Sequence, residues 1–161
     1  AVVGYLAKNF NGTLVADADA LNAISRDKSI IEGHKCRLIL TPHVVEYSRL
    51  NSESGLPYLE GIREFARKYG CVIAVKSATT IITDGNETCF SMTGGPMLSK
   101  GGSGDVLSGM ISALSCVLNP FEAVKAGCFH FGKAGERAAK RLDSVTSVLA
   151  SDVIIEIAYA R

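Results

Sequence analysis

Apolar residues in this chain come in blocks of two lengths. Short, nearly continuous apolar runs occur at Thr13–Asp17 (TLVAD), Cys36–Leu40 (CRLIL) and Cys71–Lys76 (CVIAVK). Runs of that length, bounded by turn residues, suit strands buried on both faces. Between them the apolar positions recur at helical spacing. Over Pro57–Tyr69, Leu59, Ile62, Phe65 and Ala66 share one face, Pro57 suits the first turn and Gly70 the stop. Shorter helices are predicted at Asp19–Ser25 and Val44–Leu50, and the chain opens on a helix tail with Val2, Val3 and Leu6. Thr79–Thr83 and Glu87–Met92 read as strands joined by a three-residue turn, Asp84-Gly85-Asn86. A helix is expected from Ser103 to Leu118, with Val106, Leu107, Met110, Ile111, Leu114 and Val117 on its apolar face. Pro120 opens another to Lys140, with Val124, Cys128, Phe131, Ala134 and Ala138 inward. The last is expected over Val145–Ala158. Strands alternating with helices predict an α/β fold with a mainly parallel sheet, which binds ligands beyond the carboxyl ends of its strands.

Composition narrows the possibilities. The 161 residues suit one domain, 1–161, and 47% hydrophobic against 20% charged residues exclude disorder as the main state. Seventeen basic and sixteen acidic side chains give +1, and there is no Trp, so neither a basic footprint nor a stacking platform for nucleic acid is expected. No apolar run reaches the ~18–20 residues of a membrane span. Ala1–Ala7 is apolar but lacks a basic leader and does not read as a signal peptide. Cys36, Cys71, Cys89, Cys116 and Cys128 are odd in number and contain no CxxC pair. They read as reduced thiols of a cytoplasmic protein, with no metal site.

Candidate chemistry falls at the predicted strand ends. Six of the sixteen glycines lie within residues 94–109, centred on Lys100-Gly101-Gly102-Ser103-Gly104-Asp105 at the start of a helix. Glycines there let amide N–H groups turn toward a ligand, and the helix end adds partial positive charge, so the stretch suits phosphate as well as it suits a plain turn. Asp105 would be repelled by phosphate. It is useful there if it takes a proton from a hydroxyl reacting with a phosphoryl group, and it equally serves as a helix-start charge. Thr41-Pro42-His43 follows the second strand; His43 suits either a polar ligand or a cap on the next helix. Lys76-Ser77-Ala78-Thr79-Thr80 follows the third, with a cation and hydroxyls for a nucleotide, or an exposed turn. Asp17 and Asp19 follow the first, and suit Mg²⁺, ligand hydroxyls or helix capping. His34 and His130 are weaker signals; the small-residue helix around His130 suggests close helix packing.

Taken together and in this order, VADADALN (15–22), LILTPHVVEYSRL (38–50), AVKSATTIITDG (74–85), KGGSGDVLSGMISAL (100–114), FHFGKAGERAA (129–139) and SVLASDVIIEI (147–157) resemble the NAD(P)H-hydrate dehydratase family of the ribokinase-like superfamily. The resemblance implies a three-layer α/β fold and repair of hydrated nicotinamide cofactor. Water would be removed from the S form of NADHX or NADPHX at the expense of ADP or ATP, with Mg²⁺. It implies Asp105 as base at the hydrate hydroxyl, and His43 and Asp105 as contacts to the hydrated cofactor. Lys76, Ser77, Ala78, Thr79, Thr80, Gly101, Gly102, Ser103 and Gly104 would line the nucleotide site. The family commonly has Gly where Ser77 stands, and Thr at the positions of Ser103 and Lys100; Lys100 adds a cation beside the anion hole. The resemblance also implies further N-terminal strands and a Gly/Ala-rich cofactor-contacting segment ahead of VADAD. An incomplete domain is therefore expected, with an apolar face that forms a homo-oligomer or meets the absent portion. Two alternatives are a ribokinase-like kinase of a vitamin precursor and a truncated, non-catalytic nucleotide-binding remnant.

Overall fold

The computed structural model describes residues 2–52 and 55–160. Ala1, at the head of the apolar start, lies outside them. In chain order the elements are α1 (Val2–Asn9), β1 (Thr13–Ala16), α2 (Asp19–Arg26), β2 (Arg37–Leu40), α3 (Val44–Leu50), α4 (Tyr58–Tyr69), β3 (Val72–Val75), β4 (Thr80–Thr83), β5 (Thr88–Ser91), α5 (Ser103–Leu114), α6 (Pro120–Arg141) and α7 (Ala150–Ile157). Single turns of 3₁₀ helix occur at Lys28–Ile30 and Pro96–Leu98.

The sheet runs β1-β2-β3-β4-β5. The first three strands are parallel, β4 is antiparallel to β3, and β5 is antiparallel to β4. Four of the five strands therefore point one way, and their carboxyl ends define one rim. Side-chain alternation with period two gives the sheet two apolar faces. Leu38, Leu40, Ile73 and Val75 point to the face covered by α2, α3 and α4, where they pack with Leu21, Ile24, Leu50, Ile62 and Phe65. Ile39, Val72, Ala74 and Ile82 point to the opposite face, against Leu107 and Ile111 of α5, Val124, Cys128, Phe131, Ala134 and Ala138 of α6, and Val153 of α7. Helices thus cover both faces, the three-layer arrangement expected from the alternating blocks.

Three boundaries differ from the expectation. α5 ends at Leu114, not Leu118, because the last turn buries no apolar side chain: Cys116 and Leu118 are exposed and Val117 is 80% exposed. Asn119 must also leave helical geometry ahead of Pro120, whose helix it caps by accepting from the Glu122 amide at 3.0 Å. α7 begins at Ala150, not Val145. The Ser144 hydroxyl bonds the Ser147 amide and competes with helix formation, and Asp152 caps the Leu149 amide at 3.0 Å. The hairpin loop has four residues, Asp84–Glu87, because Asp84 Oδ1 accepts from both the Asn86 and Glu87 amides.

α6 and α7 are locked by charge as well as packing. Glu156 is buried and accepts from Arg137 Nε at 3.1 Å and Arg141 Nε at 2.8 Å, while Arg141 also reaches Asp152. The arginines are half exposed, so the lock depends on keeping the buried carboxylate partnered. His130, on the small-residue helix, has Nδ1 2.6 Å from the Ala160 carbonyl and joins the same packing.

Candidate functional site

The site is built on the shared rim of β1, β2 and β3. The Thr41 amide donates to the Ala16 carbonyl at 3.2 Å, and the Lys76 amide donates to Pro42 at 2.7 Å. His43 and Lys76 then form an isolated parallel bridge. Backbone pairing thus continues one step past each strand and sets Asp17, His43 and Lys76 side by side.

Lys76 does not stand as a free cation. Its Nζ donates to Asp17 at 2.9 Å to Oδ1 and 3.1 Å to Oδ2, and Ser108 Oγ of α5 donates to Asp17 Oδ2 at 3.1 Å. Gly104 faces this pair. A Cβ at that position would lie 3.2 Å from Asp17 Oδ2 and 3.6 Å from Lys76 Nζ, so the first turn of α5 approaches the ion pair as closely as a glycine allows.

Glycine also sets the entry into α5. Gly102 precedes the helix with φ of +85°, in the left-handed region. Ser103 is buried, Gly104 is half-buried, and Gly101, Gly102 and Asp105 are exposed. The first-turn amides of an α-helix have no partner within the helix, so those of Gly104 and Asp105 are suited to an anion. The Lys100 ammonium is drawn away from this end, donating to the Thr146 carbonyl at 3.0 Å. That contact ties the glycine loop to the segment before α7.

His43 takes the capping geometry. Its Nδ1 accepts from the Val45 amide at 3.1 Å and the Glu46 amide at 3.4 Å, and Glu46 Oε2 accepts from the His43 amide at 2.8 Å. With Nδ1 an acceptor, the ring proton is on Nε2, and the side chain remains 52% exposed. Nε2 lies 3.6 Å from Glu46 Oε2, too far for a hydrogen bond, so capping leaves an N–H donor at the strand end and the two readings of His43 are compatible.

Ser77, Ala78 and Thr79 form an exposed bend between β3 and β4, with Ser77 Oγ donating to the Thr79 carbonyl at 2.5 Å; Thr80 opens β4 and is half-buried. They lie on the same rim as Lys76. Asp19 begins α2 as an exposed first-turn carboxylate, away from the Asp17 cluster. His34 bridges two carbonyls, with Nδ1 2.8 Å from Cys36 O and Nε2 2.8 Å from Tyr69 O, and ties the β2 approach to the end of α4. The five cysteines are free thiols; burial pushes Cys71 and Cys128 up to about 12, so neither offers a thiolate.

Two cavities, of about 410 and 510 Å³, lie beside α4 and are lined by Lys28, Phe65, Lys68 and Tyr69 and by His34, Arg67 and Gly70, respectively. Neither reaches the strand-end rim. We place the chemistry on the open rim, where the polar side chains converge, and not in these recesses.

Ser108 has no counterpart among the residues singled out from sequence, and Asp17 was one carboxylate of an undecided pair. Ser108 stands four residues after Gly104, so helical periodicity puts it on the same side of α5 one turn later. That offset was its signal. Asp17 differs from Asp19 only in being the residue that leaves the strand.

Among known proteins, the family model for NAD(P)H-hydrate dehydratase matches residues 2–158. The chain is 36% identical over 152 residues to a bifunctional NAD(P)H-hydrate repair enzyme of Moorella thermoacetica, a match covering 90% of this chain and 28% of that protein. It is 37% identical over 113 residues to an ADP-dependent (S)-NAD(P)H-hydrate dehydratase of Cenarchaeum symbiosum, covering 67% of this chain and 39% of that one. The ADP/ATP-dependent NAD(P)H-hydrate dehydratase of Bacillus subtilis, co-crystallised with ATP and Mg²⁺, superposes with a TM-score of 0.77 at 27% identity, over 92% of this chain and 53% of its own. The chain thus spans well under two thirds of each of these relatives. With the family model matching nearly every described residue, and the strand-end motifs on the fold of a solved relative, this chain belongs to the NAD(P)H-hydrate dehydratase family.

Proposed function

We propose that this chain carries the nucleotide site and catalytic carboxylate of a dehydratase acting on the S form of NADH or NADPH hydrate at the expense of ADP or ATP. In this reading, residues 1–161 are part of one ribokinase-like domain. The observation that carries it is the meeting, on one rim, of Asp17, His43, Lys76 and the first turn of α5. The turn of Gly101, Gly102 and Ser103 and the first-turn amides of Gly104 and Asp105 receive the phosphates, and Lys76 meets them as a cation. Ser77, Ala78, Thr79 and Thr80 line the rest of the nucleotide. Asp105, exposed beside the phosphates, takes the proton of the ring hydroxyl as its oxygen accepts the terminal phosphoryl group. Phosphate then leaves with the ring carbon–oxygen pair of electrons, and loss of a proton from the adjacent carbon restores the reduced ring. His43 Nε2–H donates to the hydrated cofactor.

Among the described residues no group of three His, Cys, Asp or Glu side chains is placed to hold a metal. The donors present fit Mg²⁺ carried mainly by nucleotide phosphates and water, with Asp105 the exposed carboxylate at this helix start, since Asp17 is engaged by Lys76 and Ser108. When bound it would neutralise phosphate charge. Five unpaired cysteines fit the reducing cytoplasm.

The test is to hydrate NADH enzymatically, add the chain with ADP or ATP and Mg²⁺, and follow the absorbance of the reduced nicotinamide. Nucleotide-dependent recovery is the expected result. A phosphorylated vitamin precursor accumulating in its place supports the kinase alternative, and ADP binding with neither activity supports the remnant.

Association is part of the same reading. β1 is an edge strand, and α1 beside it exposes Val2 (72%), Tyr5 (68%) and Leu6, followed by exposed Phe10. An open edge next to an apolar helical stripe favours pairing with further chain. We expect the chain alone to sediment above its monomer mass, and Tyr5→Lys to shift it toward the monomer.

A further inference from the structure

Asp17 is placed with unusual care for a residue with no assigned part in nucleotide binding. Its carboxylate accepts three hydrogen bonds, two from Lys76 Nζ and one from Ser108 Oγ. The residue that follows, Ala18, has φ of +48° without being glycine, a conformation that costs energy and persists where the surroundings impose it. The strained step turns the chain from β1 into α2 and leaves Asp17 directed across the rim to β3 and α5. Asp17 and Lys76 are only 17% and 22% exposed, so water competes weakly for the pair. The oxygens that would otherwise orient a cation or a ligand hydroxyl are thus committed to Lys76 and Ser108.

A lysine side chain is long and flexible, and a free one loses rotamer freedom when a phosphate captures it. One already fixed loses less. We propose that Asp17, with Ser108, is a positioning residue that holds the Lys76 ammonium against Gly104, so that the cation and the first-turn amides of α5 face an incoming phosphate as one preformed site. This rests on the nucleotide reading of the site. The carboxylate acts only through Lys76, so its removal matters only while Lys76 is present.

The experiment is calorimetric titration of the chain with ADP and Mg²⁺, for wild type, Asp17→Asn, Lys76→Met and the double variant, with circular dichroism and thermal melting to establish that each is folded. Asp17→Asn keeps the volume and is expected to weaken ADP binding roughly tenfold, about the loss of one charge-assisted contact. Lys76→Met is expected to weaken it at least as much, and the double variant to bind like Lys76→Met alone. Unchanged or tighter binding by Asp17→Asn overturns the proposal, as does a double variant weakened by the product of the single effects. If Asp17→Asn does not fold, the same cycle between Ser108→Ala and Lys76→Met decides: non-additive losses support the proposal and additive ones overturn it. Wild type that fails to bind ADP overturns the nucleotide reading and this inference with it, whereas wild-type binding without coupling overturns this inference alone.

Discussion

Replacing Asp105 by asparagine is expected to abolish nucleotide-dependent recovery of NADH from its hydrate while leaving the fold and ADP binding in place. Asp105 is exposed on the first turn of α5, so the substitution empties no core space and breaks no buried contact. Its structural cost is limited to an acidic charge near a helix start, about 0.3–1 kcal/mol. Its chemical cost is far larger. A carboxamide cannot take the hydroxyl proton, and loss of a positioned base removes on the order of 10²–10⁴ in rate. Removing a negative charge beside the phosphates should hold ADP affinity level or raise it. The diagnostic result is therefore a fall of at least ~100-fold in turnover with unimpaired ADP binding and a melting temperature within a few degrees of wild type. Full activity in the asparagine variant would exclude Asp105 as the base. A parallel loss of ADP binding would show instead that α5 had moved.

How much of this site was legible in the sequence depends on the range of the interactions concerned. The strands were visible because the continuity and length of their apolar runs are local consequences of burial: Leu38, Ile39 and Leu40 all lie inside, as a sheet covered on both faces requires. The glycine loop was visible because Gly102 needs a left-handed φ and Gly104 a missing Cβ, and both leave glycine in the sequence. The helix ends were less legible. Val117 and Val145 look like members of an apolar face, yet they are exposed by turns formed by Ser115, Asn119 and Ser144. The Asp17–Lys76 pair was the least legible, since it joins residues 59 apart. Each partner alone reads as a ligand for something else, Mg²⁺ for one and phosphate for the other. Only the parallel pairing of β1, β2 and β3 brings them together.

Alanine in place of glycine is expected to have opposite effects at two helical positions, Gly132 and Gly109, and the contrast measures how the glycine loop is supported. A Cβ on Gly109 in α5 would meet nothing within 4 Å, and the residue is exposed. Alanine there stiffens the unfolded chain and improves helix propensity, so Gly109→Ala is expected to stabilise by about 0.5–1 kcal/mol. The same propensity gain applies at Gly132 in α6, but there a Cβ would fall 2.5 Å from the Thr93 backbone carbonyl carbon and 2.6 Å from its Cβ. No rotamer change relieves a backbone clash. The Thr93–Gly94 segment would have to lift off α6, straining the Thr93 Oγ1 bond to Phe129 O at 3.1 Å and the Gly94 amide bond to Glu136 Oε1 at 2.8 Å. That amide, with Lys133 next in weight, holds the Glu136 carboxyl below its ordinary range, a sign that the contact favours the ionised form. Overpacking of about 1–3 kcal/mol plus about 1 kcal/mol for each disturbed hydrogen bond outweighs the propensity gain. Gly132→Ala is therefore expected to lose about 3 kcal/mol, a large share of the ~5–15 kcal/mol that holds a domain together. Its melting temperature should drop by roughly ten degrees, and that of Gly109→Ala should rise by a few. The displaced segment leads through Pro96–Leu98 into Lys100–Gly104, so the surviving folded fraction of Gly132→Ala should also bind ADP more weakly. Unchanged binding with an unchanged melting temperature would mean that α6 yields and the loop does not depend on this crossing. A destabilised variant with full ADP affinity would mean that the loop is held by α5 and the Lys100 contact to Thr146 alone.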